Sequence, residues 1–123
     1  MRRTALATLI VLALGALVFA TAGFGRSSTT LKGTVGPGFS ITLTKAGNRF
    51  TSIRRGTYTF TVRDRARIHN FVLEKTRGGD FEKRITTVPF MGTKTVTVKL
   101  TPGRWEYFCT PHESVMHHTF TVR

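Results

Sequence analysis

The chain has 123 residues, one cysteine, and nineteen Lys plus Arg against six Asp plus Glu, a formal charge of +13. That length allows one small domain with a modest core and leaves no room for several. The lone cysteine excludes an internal disulfide framework, and so basic a surface steers acidic partners and favours anionic surfaces.

Met1-Arg2-Arg3 opens the chain, Ala5 to Ala20 is almost wholly apolar, and Ala20-Thr21-Ala22 is a small-residue cleavage pattern. That order is the anatomy of a secretory signal peptide. Residues 1–22 are expected to be removed on export, which leaves seventeen basic against six acidic residues, near +11. The competing reading is an uncleaved signal anchor, because the apolar run nearly reaches Gly25 and approaches the length of a membrane span. Either reading puts the domain outside the cytoplasm, periplasmic, otherwise extracytoplasmic or secreted, and tethered to the membrane if the segment stays. Residues 23–30 are small and polar and read as a disordered tether.

From residue 31 to residue 123 no long amphipathic helix is visible. Short alternating runs separated by turn signals argue an all-β sandwich or barrel of about seven to eight strands with Greek-key connections. Phe39, Ile41 and Leu43 alternate with Ser40, Thr42 and Thr44, between Gly36-Pro37-Gly38 and Gly47-Asn48. Residues 50–53 make a short strand at most. Tyr58, Phe60 and Val62 alternate with Thr57, Thr59 and Thr61, an apolar inner face and a threonine outer face. The run from Arg63 to Arg67 reads as a charged connection. Ile68 to Glu74 is apolar on both parities and is expected inside the sandwich, with His69, Phe71 and Leu73 on one face. Arg77-Gly78-Gly79-Asp80 is a turn, Phe81 to Val88 is ambiguous, and Pro89 to Gly92 breaks the chain again. Val96, Val98 and Leu100 alternate with Thr95, Thr97 and Lys99 before a Pro102-Gly103 turn. Trp105, Tyr107 and Cys109 share a face, and Phe120 and Val122 point inward from the last strand.

The chemistry concentrates in Cys109-Thr110-Pro111-His112-Glu113-Ser114-Val115-Met116. An unpaired cysteine in an exported protein is bridged to another molecule, buried and inert, or a metal ligand. The His three residues on and the Met four residues after that favour the metal. Thiolate and thioether are soft ligands and imidazole is borderline, a mixture suited to copper in both common oxidation states. A trigonal set needs a second imidazole, and His69 is the only histidine outside the C-terminal segment.

This pattern resembles the cupredoxins, the small type 1 blue-copper proteins of the plastocyanin and amicyanin kind. Those proteins carry an early His, then Cys-x-x-His and a Met just before the last strand. The resemblance covers essentially the whole chain after the signal segment. It implies one copper ion held by His69, Cys109, His112 and Met116, with Met116 as the long axial ligand. It further implies that the Asn70 amide bonds near Thr110 and locks the cysteine loop to the His69 strand. By the same resemblance an apolar patch around His112 admits electrons, with residues 36–39 as candidates for its rim. His117 and His118 match no ligand position. Where many relatives have glycine two residues after the Met, this chain has His118. Phe108 is expected to be packed inside.

The function implied is an exported, monomeric electron carrier that cycles Cu(II) and Cu(I) and is not an enzyme. Its partner is expected to be a redox protein with an acidic docking surface, with association to a membrane surface as a further expectation. The alternative is copper storage or delivery through the same ligands. A basic β-barrel binding single-stranded nucleic acid is a third class, against which the signal segment and the ligand set both weigh, so no nucleic-acid partner is expected.

Overall fold

Alternation with threonine is what builds this molecule, since a β-branched outer face and an apolar inner face suit a strand that is half buried. The computed structural model describes residues 23, 25 and 27–123, and the expected signal segment 1–22 lies outside the described residues. Ten strands follow one another: β1 Thr29–Val35, β2 Ile41–Lys45, β3 Asn48–Arg49, β4 Ser52–Ile53, β5 Gly56–Asp64, β6 Phe71–Arg77, β7 Phe81–Thr86, β8 Gly92–Leu100, β9 Gly103–Phe108 and β10 His117–Val122. Two of them are only two residues long, so the eight longer ones match the expected count. Among the described residues no helix is long and apolar enough to cross a membrane.

The strands form two five-stranded sheets, in the orders β3-β2-β1-β5-β8 and β4-β10-β9-β6-β7. Most pairs are antiparallel, but β1 runs parallel to β5, with Thr29 opposite Tyr58 and Val35 opposite Asp64, and β10 runs parallel to β4. The sandwich therefore has two poles. At the upper pole meet the ends of β1 and β5, the start of β6 and the end of β9. At the lower pole lie the starts of β5 and β9 and the end of β10, joined where Arg55 N–H donates to the Arg123 carbonyl at 2.7 Å.

Between the sheets, Trp105, Phe60, Phe71 and Leu73 are at most 1% exposed. Phe71 and Tyr107 stack with centroids 5.6 Å apart, and Phe50 meets Phe120 edge-on at 5.4 Å. Aromatic pairs of this kind add roughly 0.5–1.5 kcal/mol each beyond their buried area. Phe120 and Val122 are buried and Thr119 and Thr121 exposed, as the alternation requires.

Four local expectations are corrected. β1 begins at Thr29, two residues inside the stretch read as a tether, and continues through Leu31 and Val35 in the core. β2 starts at Ile41, so Phe39 leaves the inner face and is 63% exposed in the loop before it. β5 continues through Arg63 to Asp64, which pairs with Gly92 and is buried rather than part of a charged connection. β6 starts at Phe71, so His69 sits in the tight turn just before the strand, buried, while Ile68 faces solvent.

Candidate metal centre

Three segments converge at the upper pole. The first is the turn that ends β5, where Ala66 N–H donates to Asp64 Oδ1 at 3.2 Å and His69 N–H donates to the Ala66 carbonyl. It delivers His69 beneath Gly36. A Cβ at Gly36 would lie 3.0 Å from His69 Cδ2 and 3.2 Å from Ala66 Cβ, and φ is +74° there, so glycine is what lets the backbone lie against the imidazole. Cys109 is the second, completely buried at the end of β9.

The third is the loop that returns to β10. A short 3-10 turn, Thr110–His112, carries Pro111 in its first turn, where the missing N–H costs nothing. His112 N–H donates to the Cys109 carbonyl at 3.1 Å, and the N–H groups of Val115 and Met116 both donate to the His112 carbonyl. Cys109 N–H in turn donates to the Met116 carbonyl at 3.0 Å. The loop is thereby closed on itself by backbone bonds, with Met116 fully buried.

Asn70 couples the first segment to the third. Its Oδ1 accepts from Thr110 N–H at 2.7 Å and its Nδ2 donates to Thr110 Oγ1 at 3.1 Å. Both bonds run across forty positions of sequence, and they fix the height of Cys109 relative to His69.

The result is a triangle of donor atoms. Nδ1 of His69 and Nδ1 of His112 are 3.1 Å apart, and each lies 3.6 or 3.7 Å from Cys109 Sγ. Among the described residues, these three side chains form the cluster able to hold a metal. A point equidistant from the three atoms is about 2 Å from each, close to the roughly 2.0–2.3 Å of metal–imidazole and metal–thiolate bonds. The donors therefore fit a small ion without rearrangement.

Burial raises the Cys109 thiol above its ordinary value, the N–H groups of Asn70 and His112 aimed at the sulfur lower it, and the nearby Asp64 charge raises it again. A metal that takes the thiolate displaces that proton. His69 Nε2 and Asp64 Oδ2 are both buried without a hydrogen-bond partner among the described residues.

His117 and His118 stand apart from the cluster. Both are exposed; His117 Nδ1 lies 2.8 Å from the Glu113 carbonyl, and His118 leans on Tyr107. Partial burial, followed by the Arg49 and His117 charges, holds the His118 imidazole below its ordinary pKa. Phe108 is buried as expected. Sequence reasoning did not single out Asp64, because its neighbours Arg63, Arg65 and Arg67 make the run look like a solvated loop.

The sequence model of the copper-binding proteins of the plastocyanin/azurin family matches residues 45–123. The chain belongs to that family. No curated protein sequence matches it. Among solved structures, a rusticyanin variant is 20% identical with a TM-score of 0.54, covering 79% of this chain and 79% of its own. Rusticyanin from Thiobacillus ferrooxidans is 17% identical at 0.52, again covering 79% of both chains. Auracyanin A, a blue copper protein from Chloroflexus aurantiacus, is 18% identical at 0.51, with 79% of this chain and 100% of that one covered. At these identities the likeness establishes the cupredoxin fold. The cofactor of this cupredoxin is a single type 1 copper ion, and its class is that of copper electron carriers.

Proposed function

We propose that this cupredoxin is an exported single-electron shuttle whose copper is held by His69, Cys109 and His112, with Met116 as the axial ligand. The observation that carries the reading is the triangle of two Nδ1 atoms and one Sγ, each side between 3.1 and 3.7 Å. When bound, copper supplies a one-electron couple, and the protein's part is to keep its ligands still while the charge changes. The Asn70–Thr110 clamp and the backbone bonds that close the loop serve that end. Donors that barely move between the two oxidation states keep the barrier to electron exchange low.

The route for the electron is the His112 edge. Cys109 and Met116 are fully buried and His112 is partly exposed. Phe39 covers it, edge-on to both imidazoles with centroids 4.9 Å from His112 and 5.7 Å from His69. Ile68, Met91 and Val115, each more than half exposed, extend an apolar rim at the same pole. Exposed Arg63, Arg65 and Arg67 flank it. An apolar centre with a charged border suits a transient partner that must approach closely and leave quickly, and the arginines favour an acidic one. Storage or delivery would require a route for ligand exchange, and burial of the sulfur ligands speaks against it.

Voltammetry and stopped-flow reaction with an acidic redox protein test the reading. A reversible couple, fast self-exchange and rates that fall steeply with salt are expected. Copper transfer to an apo-protein without electron exchange would instead support delivery, and a flat salt dependence would remove the steering claim. Phe39→Ala should slow intermolecular transfer while the visible spectrum stays near that of the parent.

A further inference from the structure

The lower pole carries a second concentration of charge that electron transfer does not use. Arg54, Arg55 and Arg123 line one shallow cleft, where Arg123 N–H donates to the Ile53 carbonyl and Arg55 N–H to the Arg123 carbonyl. The Tyr58 hydroxyl donates to the Arg54 carbonyl at 2.7 Å, so the backbone beneath these side chains is fixed. Beside the cleft, Arg55 and Lys99 line a hollow together with Ser27, Ser28 and Thr29. Asp80 is the only acidic residue in the turns of this pole. The single ion pair among the described residues, Arg84 with Glu82, involves none of these basic side chains.

Two further observations select the partner. Among the described residues the large exposed apolar side chains are Phe39, Ile68, Val88, Met91 and Val115, all in loops of the upper pole, so the lower pole presents charge without an exposed apolar anchor beside it. Arginine forks pair with phosphate groups and need no apolar anchor. The chain also enters the sandwich here: Ser27 and Ser28 lie beside Arg55, seven residues or so beyond the end of the apolar run at Ala20.

We propose that the lower pole is a docking face for the phosphate headgroups of an anionic bilayer, with Arg54, Arg55, Lys99 and Arg123 as its contacts. This rests on the export reading of the N-terminal segment. Docked in this way, the copper pole stands off the membrane by the length of β5, about 25 Å for nine residues. The His112 edge then faces the aqueous phase, open to a partner, and a leader that stayed uncleaved would tether the domain at this same face.

The test uses the full copper-loaded chain and its binding to vesicles of pure phosphatidylcholine or of phosphatidylcholine with about a third phosphatidylglycerol. The apolar segment contributes to both, so the ratio of the two affinities isolates the charge. In the triple variant R54Q/R55Q/R123Q the preference for phosphatidylglycerol should fall by up to about a hundredfold, since each basic side chain near an anionic surface contributes roughly fivefold. R63Q/R65Q/R67Q, at the other pole, should keep it. Equal losses from both triples would mean diffuse attraction by net charge and would overturn the proposal. So would a parent protein with no preference for phosphatidylglycerol, or a lower-pole triple that retains it. Retained blue absorption in each variant shows that the fold and the copper site survive, so the docking claim can fail while the electron-carrier reading stands.

Discussion

At the lower pole the buried Lys75 ammonium donates to Thr101 Oγ1 at 2.7 Å, sits 5.7 Å from the centre of the Trp105 ring, and shares Thr101 with Trp105 Nε1, which donates to the Thr101 carbonyl. At the upper pole Asp64 and His69 are buried still more deeply, yet Asp64 Oδ2 and His69 Nε2 have no partner. Buried polar groups are normally satisfied, and each exception calls for a reason. At the lower pole that ammonium is absorbed by its neighbours, although Ser52 Oγ on β4 is also buried without a partner among the described residues. What sets the upper pole apart is that His69 Nδ1, His112 Nδ1 and Cys109 Sγ converge within 3.1–3.7 Å of one another, a mixed nitrogen and thiolate set suited to a metal ion.

The sharpest way to break this comparison is at Gly103, where β9 begins. A Cβ there would overlap the Arg77 carbonyl oxygen and approach Lys75 Cε at 2.7 Å, and φ is +147°. Gly103→Ala should cost about 3 kcal/mol or more in thermal unfolding, because backbone has to move. Its copper spectrum, measured below the melting temperature, should stay that of the parent; a large spectral change with little loss of stability would reverse the roles assigned to the poles.

Asn70→Ala works from the other end. It removes both bonds to Thr110, and a loss of about 1–3 kcal/mol is expected. Unlike Gly103→Ala, it should also alter the visible spectrum and speed copper loss to a chelator, since the height of Cys109 over His69 is no longer fixed.

Asp64→Asn is nearly isosteric. A buried negative charge near the thiolate favours the more positive oxidation state of the metal, so its removal should raise the reduction potential by on the order of tens of millivolts. An unchanged potential would mean that Asp64 acts on the turn alone.

The smallest effect lies between the poles. Glu74 stands directly opposite Glu82 on β7 and Glu106 on β9. Desolvation, then Glu82, Glu106 and Glu113, raises its carboxyl above the ordinary 4.5. A raised acid is most favourable to the fold when protonated, so its contribution is complete below the ordinary value and is lost as pH rises through the folded one. Glu74→Gln should therefore stabilise by about 0.5 kcal/mol at neutral pH, with the gain disappearing on acidification below about 4 in pH-dependent melting curves.

The two poles were also unequally legible in the sequence. Metal chemistry demands particular side chains, so Cys109, His112 and Met116 stand out in eight residues, and His69 follows as the one remote imidazole. The clamp by Asn70 was accessible only through the family resemblance, because its partner Thr110 is forty positions away. Strands with strict alternation, such as β5 and β10, were readable from period alone. β1 was not, since its three inward positions Leu31, Gly33 and Val35 include a glycine and follow a small polar stretch. Asp64 and Phe39 were misplaced for a common reason: where a strand stops decides whether a side chain enters the core or the rim, and strand ends are set by pairing partners such as Gly92 that local sequence does not reveal. The arginine cluster was invisible for the same reason, because Arg54 and Arg123 meet only through the β4–β10 pairing.

The central claim, that one copper ion sits among His69, Cys109 and His112, is tested most directly by titrating the purified apo-protein with Cu(II) and recording its visible spectrum. One equivalent should produce an intense absorption near 600 nm, roughly where a copper–thiolate bond of this type absorbs, and Cys109→Ser should abolish it while the melting curve of the apo-protein stays close to the parent's. A parent protein that stays colourless, or a Cys109→Ser variant that still turns blue, would contradict the account.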